Sequence, residues 1–184
     1  MRHATNLFGM LLLSAAAVVT LNAQPAATKT PSFRDMFLSQ LKDVESKVVG
    51  LAETMPEEKY TWRPGEGVRS ISEVYMHIAG ANYLFPSFIG VKPPGNISQS
   101  MEKTVTAKAD VVKMVKESFA HARQAVMNMS DADLDKPTKF FGRENTYQGV
   151  LFIMANHMHE HLGQSIAYAR TNGVVPPWSK KGAE

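Results

Sequence analysis

The segment from about Thr146 to Thr171 limits the choice of fold more than any other part of the chain. Two stripes at helical spacing run along it. Val150, Met154, His157, His161, Gln164 and Tyr168 make one, and Leu151, Ala155, Met158, Leu162, Ile166 and Ala169 make the other. Residues three and four apart lie on one face of a helix, so the two stripes together cover a wide arc. A helix with so broad a core-facing surface needs neighbours on several sides and belongs in the centre of a bundle. Gly173 suits a left-handed cap beyond its end, and Pro176-Pro177 forbid continuation.

The neighbours are visible upstream. From Pro31, the residues Phe33, Phe37, Leu41, Val44, Val48 and Leu51 recur at steps of three and four. A proline- and glycine-bearing loop follows. Ser70-Ile71-Ser72-Glu73 is then a capping box, opening a second helix on Ile71, Val74, Ile78, Ala81, Phe85 and Phe88 that runs to about Gly90. Val91 to Thr104 reads as a long crossover. A third helix spans about Ala107 to Met129, with Val111, Val115, Phe119, Ala122 and Val126 on its buried face, and Asp131 to Asn145 reads as loop. No strand alternation or internal repeat stands out. The expected fold is all-α, a four-helix bundle over residues 31–178, with a flexible lead-in at 24–30 and a tail at 179–184.

Residues 1–23 stand apart from that domain. Met1-Arg2-His3 is a short positive start, an apolar run extends from Leu7 to Leu21, and Leu21-Asn22-Ala23 ends in a small residue. That order marks a cleavable signal peptide, cut after Ala23, and a secreted or periplasmic protein. An uncleaved anchor is the rival reading, although the run is short for a bilayer crossing. No membrane association is expected after cleavage. The formal charge of +3 falls by one when Arg2 leaves, and lysines are scattered among acids, so nucleic acid is not an expected partner. The chain has no cysteine, which excludes disulfides, a thiolate nucleophile and cysteine-based zinc sites.

Half of the six histidines fall in Asn156-His157-Met158-His159-Glu160-His161. His157 and His161 are four apart, so both imidazoles can aim at one point about 2.0–2.1 Å from each ring nitrogen, the reach of a metal bond. His159 is about 200° around the helix and points away. The pair sits on a core-facing stripe, where unpartnered imidazoles are unfavourable, so a metal or hydrogen bonds must satisfy them. His77 lies on the apolar side of helix two, between Val74 and Ala81. Alone it reads as a core histidine with a hydrogen-bond partner; with the pair it becomes a third ligand. His121 falls on the polar side of helix three and is expected to be exposed. Gln164, one turn beyond His161, points inward to bond a metal water or to bond across the bundle. Glu160 is a candidate orienting group or simply a solvated acid.

The stretches S-I-S-E-V-Y-M-H-I-A and N-H-M-H-E-H-L-G-Q-S-I-A-Y-A-R, with the closing T-N-G-V-V-P-P-W, resemble the DinB/YfiT-like superfamily over about Phe33 to Trp178. The resemblance implies an up-down-down-up bundle, often paired as a homodimer, in which His77, His157 and His161 bind divalent zinc, nickel or iron. Relatives include thiol-dependent transferases and isomerases using mycothiol or bacillithiol, a domain of iron-dependent sulfoxide synthases, and proteins described as metal-dependent hydrolases. Export departs from the characterised branches, because low-molecular-weight thiols are scarce outside the cytoplasm.

Two functional readings follow. One is a metal-dependent hydrolase or transferase acting on a small molecule. Three neutral ligands leave the ion's charge free to acidify water, and Gln164 or Glu160 positions that water or moves a proton. The substrate would enter under the loops carrying Trp62 or Phe140-Phe141. The other is a non-catalytic cell-envelope binding or structural module with a vestigial metal site.

Overall fold

The computed structural model of the chain describes residues 30–95, 97–98 and 100–179. The expected signal peptide, most of the lead-in and residues 180–184 of the tail lie outside the described residues.

Each long helix forms where the apolar period and a capping side chain agree. Helix α1 (Phe33–Thr54) starts where the Ser32 hydroxyl accepts the Asp35 amide, and it buries Phe37, Leu41, Val44, Val48 and Leu51. Helix α2 (Ile71–Leu84) opens with the complete capping box. The Glu73 amide donates to Ser70 Oγ, and Glu73 Oε2 accepts the Ser70 amide at 2.8 Å. Nearly every residue of α2 is buried, so it is enclosed on several sides.

The α-helix stops at Leu84, short of the expected Gly90, because Pro86 has no amide to continue the ladder. A tighter turn, Phe85–Ile89, covers the remaining distance and ends on Gly90 at φ 89°. The crossover contains a further four-residue helix, α3 (Met101–Thr104), that its sequence does not announce.

Helix α4 (Lys108–Met127) buries the expected Val111, Val115, Phe119, Ala122 and Val126. The stretch expected to be loop instead holds a small antiparallel hairpin, β1 (Pro137–Phe140) and β2 (Arg143–Thr146), in the register Pro137↔Thr146 to Phe140↔Arg143. Its strands are too short to show an alternation. Thr146 ends the hairpin and also caps helix α5 (Tyr147–Thr171), accepting the Gly149 amide. Gly173 then closes α5 in the left-handed conformation at φ 75°.

Both α1 and α2 pack against both α4 and α5, and their apolar faces share one core. At one end, Arg34 near the start of α1 donates to the Val126 and Met127 carbonyls that finish α4. At the other, Lys108 at the start of α4 donates to the Glu53 and Met55 carbonyls that finish α1. These two helices therefore run antiparallel. Between α2 and α5, Tyr168 near the end of α5 donates to the Arg69 carbonyl just before α2, while Phe85 beyond α2 lies on His157 in the middle of α5. Among the described residues, no helix is long and apolar enough to cross a membrane.

Candidate metal centre

The capping box fixes where α2 begins, and His77 follows one turn beyond Glu73 on the side facing α5. There it meets His157 and His161, one above the other on α5 as their four-residue spacing requires. Ring centroids are 5.0 Å apart for His77 and His157, 4.7 Å for His77 and His161, and 4.5 Å for the α5 pair. One nitrogen from each ring can be chosen so that no two lie further apart than 4.8 Å.

The back of each ring decides which nitrogen faces the shared point. His77 Nδ1 lies 3.1 Å from Glu102 Oε2, and a carboxylate can only accept, so Nδ1 carries the proton and Nε2 offers its lone pair. His161 Nδ1 lies 2.8 Å from Gln164 Oε1, which fixes the same tautomer. The Gln164 amide is itself oriented, because Nε2 donates to the Tyr168 hydroxyl at 3.0 Å. His157 Nε2 sits 3.1 Å from His77 Nε2, and its Nδ1 is buried without a partner.

This donor set fits a divalent ion. Nitrogens that share a tetrahedral ion at about 2.0–2.1 Å lie about 3.4 Å from one another. One pair is already at 3.1 Å, and none of the chosen nitrogens is further than 4.8 Å from another, within about 1.4 Å of that spacing. Two of the three histidines also have the rear hydrogen bonds that orient metal-binding imidazoles.

The electrostatics favour the neutral form of His77 and His157, the form that ligation requires. Burial pushes the His157 pKa down to about 4, helped by His161, His77 and Arg69. Burial also lowers His77, with Arg69 and His161, against the opposing pull of Glu102. For Glu102 itself burial raises the pKa, but hydrogen bonding and charge from Arg69 and His77 more than offset it and hold the carboxyl below its ordinary range.

A cleft of about 650 Å³ opens onto the histidines, with Arg69, His77, Glu102, Phe141 and His157 among its lining residues. His161 lies deeper and is buried. Gln164 is half-buried and touches the centre only through His161, and Glu160 is exposed on the outer surface of α5. His159 is exposed and bonds the Ala155 carbonyl. Trp62 packs edge-on against Tyr168 and does not line the cleft.

Of the aromatics expected at the entrance, Phe141 does line the cleft, whereas two groups escape sequence reasoning: Glu102 and Arg69. Glu102 has no period or motif to mark it, and Arg69 joins it through a 2.8 Å ion pair. His121 is a correction. Expected to be exposed, it is half-buried with a pKa lowered by burial, because its ring packs against Tyr83 of α2.

Comparisons with known proteins agree with this architecture. The protein YjoA of Bacillus subtilis (strain 168) is 26% identical over 126 residues, covering 67% of this chain and 80% of its own. The crystal structure of a DinB-like protein from Bacillus cereus ATCC 10987 has a TM-score of 0.68 at 21% identity, covering 77% of this chain and 93% of that one. The crystal structure of the DinB-like YjoA from Bacillus subtilis has a TM-score of 0.63 at 22% identity, covering 76% and 93%. At these identities the two superpositions speak to fold alone. The family model of the DinB superfamily matches residues 40–165, and the chain belongs to that superfamily.

Proposed function

We propose that the chain is an exported metalloprotein that binds one divalent ion through His77, His157 and His161 and uses it to hydrolyse, or transfer a group from, a small molecule. The observation that carries this reading is the convergence of three imidazoles on one point beside an open cleft, with Glu102 and Gln164 fixing two of them from behind. Zinc, nickel and iron all suit imidazole ligands. When bound, such an ion supplies Lewis acidity, polarising a carbonyl or acidifying water near neutral pH. The chain's own residues do the rest. Glu102 keeps the His77 proton on Nδ1, Gln164 does the same for His161, and the cleft walls hold the substrate away from bulk water.

Export is supported by the order of charge, apolar run and small residue in the first 23 positions. An up-down-down-up course is supported by the end-to-end bonds between α1 and α4 and by the opposed run of α2 and α5. A second reading, a non-catalytic module with a vestigial site, is favoured by one contact. His77 and His157 can bond each other directly at 3.1 Å and so partly satisfy themselves without an ion.

Metal analysis of the purified mature protein, then thermal unfolding with chelator and with added nickel, zinc or iron, separates the two. A stoichiometric ion and a rise of several degrees, both absent from the His157→Ala/His161→Ala variant, support the metalloprotein. Melting that ignores chelator and every added ion supports the vestigial module.

A further inference from the structure

The tip of the hairpin breaks a local rule. Phe141 and Gly142 are the two residues between β1 and β2, with φ 47° and 81°. Two positive φ values in a two-residue loop give the turn whose first position favours asparagine, aspartate or glycine. Phenylalanine there is strained, because its Cβ crowds the backbone. Its ring packs on Phe88 at 5.0 Å and on Phe140, and the residue still remains 64% exposed. Yet the ring is one wall of the cleft, and contacts at 4.6 Å to Phe140, 5.2 Å from Phe140 to Phe85 and 5.3 Å from Phe85 to His157 link it to the histidines. Backbone strain at a residue that stays largely exposed, located at a cleft, marks a residue kept for what it touches.

The opposite character belongs to Arg69. Its Nε bonds Glu102 at 2.8 Å, while its two terminal nitrogens have no protein partner among the described residues. The walls between are apolar, including Met76, Leu84, Phe85, Ile97 and Met101.

We propose that the cleft binds an amphipathic carboxylate, with the carboxylate on the free edge of the Arg69 guanidinium and an aliphatic or aromatic body against Phe141. Arg69 offers the paired donors that match a carboxylate, and Phe141 is the specificity residue for the body. This rests on taking the cleft as the ligand site of the metal centre, so the test reads ligand binding and metal content separately.

Calorimetry on the full mature protein after chelator treatment, then on nickel-loaded protein, with acetate, 4-phenylbutyrate and uncharged 4-phenylbutanol as probes, tests the assignment. Chelated protein should bind 4-phenylbutyrate at least tenfold more tightly than acetate or 4-phenylbutanol. Phe141→Asn, which suits the turn, should melt no lower than wild type yet bind 4-phenylbutyrate at least fivefold more weakly, with acetate unchanged. Arg69→Gln should abolish the preference for the carboxylate over the alcohol. If Phe141→Asn melts several degrees lower and binds 4-phenylbutyrate like wild type, Phe141 is a packing anchor and the assignment is overturned. Equal binding of all three probes overturns it too. Probe binding with the expected variant effects in protein that takes up no nickel upholds the cleft assignment and defeats the metal reading. Nickel uptake without probe discrimination does the reverse.

Discussion

Removing the Glu102 carboxylate should weaken metal binding without dismantling the fold. Glu102 Oε2 is the acceptor for His77 Nδ1 at 3.1 Å, and its other oxygen accepts from Arg69 at 2.8 Å. In Glu102→Ala the His77 ring loses its tautomer lock and one of the contacts that hold its angle. Loss of such a rear partner typically weakens metal affinity about 10- to 100-fold, or about 1.4–2.7 kcal/mol. Apo stability should change far less. The pair with Arg69 is partly solvated, 37% and 22% exposed, and an ion pair of that kind contributes at most about 1 kcal/mol.

The assay follows from linkage. At an ion concentration about 100 times the wild-type Kd, binding stabilises wild type by about 2.7 kcal/mol. With Kd raised 10- or 100-fold, the same concentration stabilises the variant by about 1.4 or 0.4 kcal/mol. A domain of this size shifts about 2–4 °C per kcal/mol, so a metal-induced rise of about 5–11 °C should shrink to about 1–6 °C. Glu102→Gln keeps an acceptor but not the charge and should fall at the mild end of that range. Direct titration of nickel into the chelated proteins checks the affinities. If Glu102→Ala binds nickel within twofold of wild type, the carboxylate does not orient His77 toward an ion, and the tautomer argument fails.

The remaining predictions concern the scaffold. Burial pushes the Glu73 carboxyl upward, but the Ser70 amide, Lys103 and Arg63 together hold it down to about 2, below its ordinary 4.5. A depressed folded pKa contributes stability that is full above the unfolded value and is lost as pH falls from about 5 to 2. Discounted for the exposure of Arg63 and Lys103, the contribution is about 2 kcal/mol, so urea midpoints of Glu73→Gln should fall less steeply over that range than those of wild type. Identical slopes would contradict it. Ser118→Ala leaves the fully buried Asn82 amide without its 3.2 Å acceptor and should lower stability by about 1–3 kcal/mol, read as a lower urea midpoint at unchanged m.

The parts of this molecule that are legible in sequence are those whose information is local. The stripes of α1, α4 and α5 repeat at three and four residues because each helix buries one face. His157 and His161 are legible as a pair because four residues are one turn. His77 is legible because a polar residue on an apolar face needs an explanation. Glu102 is not, since the partner that gives it meaning is 25 residues away and it sits in a crossover with no period of its own. The hairpin escapes because four-residue strands with polar side chains carry no alternation, and Phe-Gly is not a usual hairpin turn. His121 misleads because helical phase gives the direction of a side chain, not which other segment, here Tyr83 of α2, lies beside it.

What sequence cannot supply here is also what completes the site. A four-residue helix has too few internal bonds to persist alone, so α3 must be held by what it touches. Its two adjacent charged residues both reach back to α2. Lys103 bonds Glu73, the residue that caps α2, and Glu102 bonds Arg69, just before α2, and His77, one turn inside it. The same carboxylate of Glu73 that starts α2 in the correct register therefore also anchors the segment that delivers Glu102 to His77. Helix start, α3 position and histidine orientation form one connected network of charge-assisted bonds. That network explains why α3 sits at the edge of the cleft, and why an acid with no sequence signature lies beside the histidine that needs it.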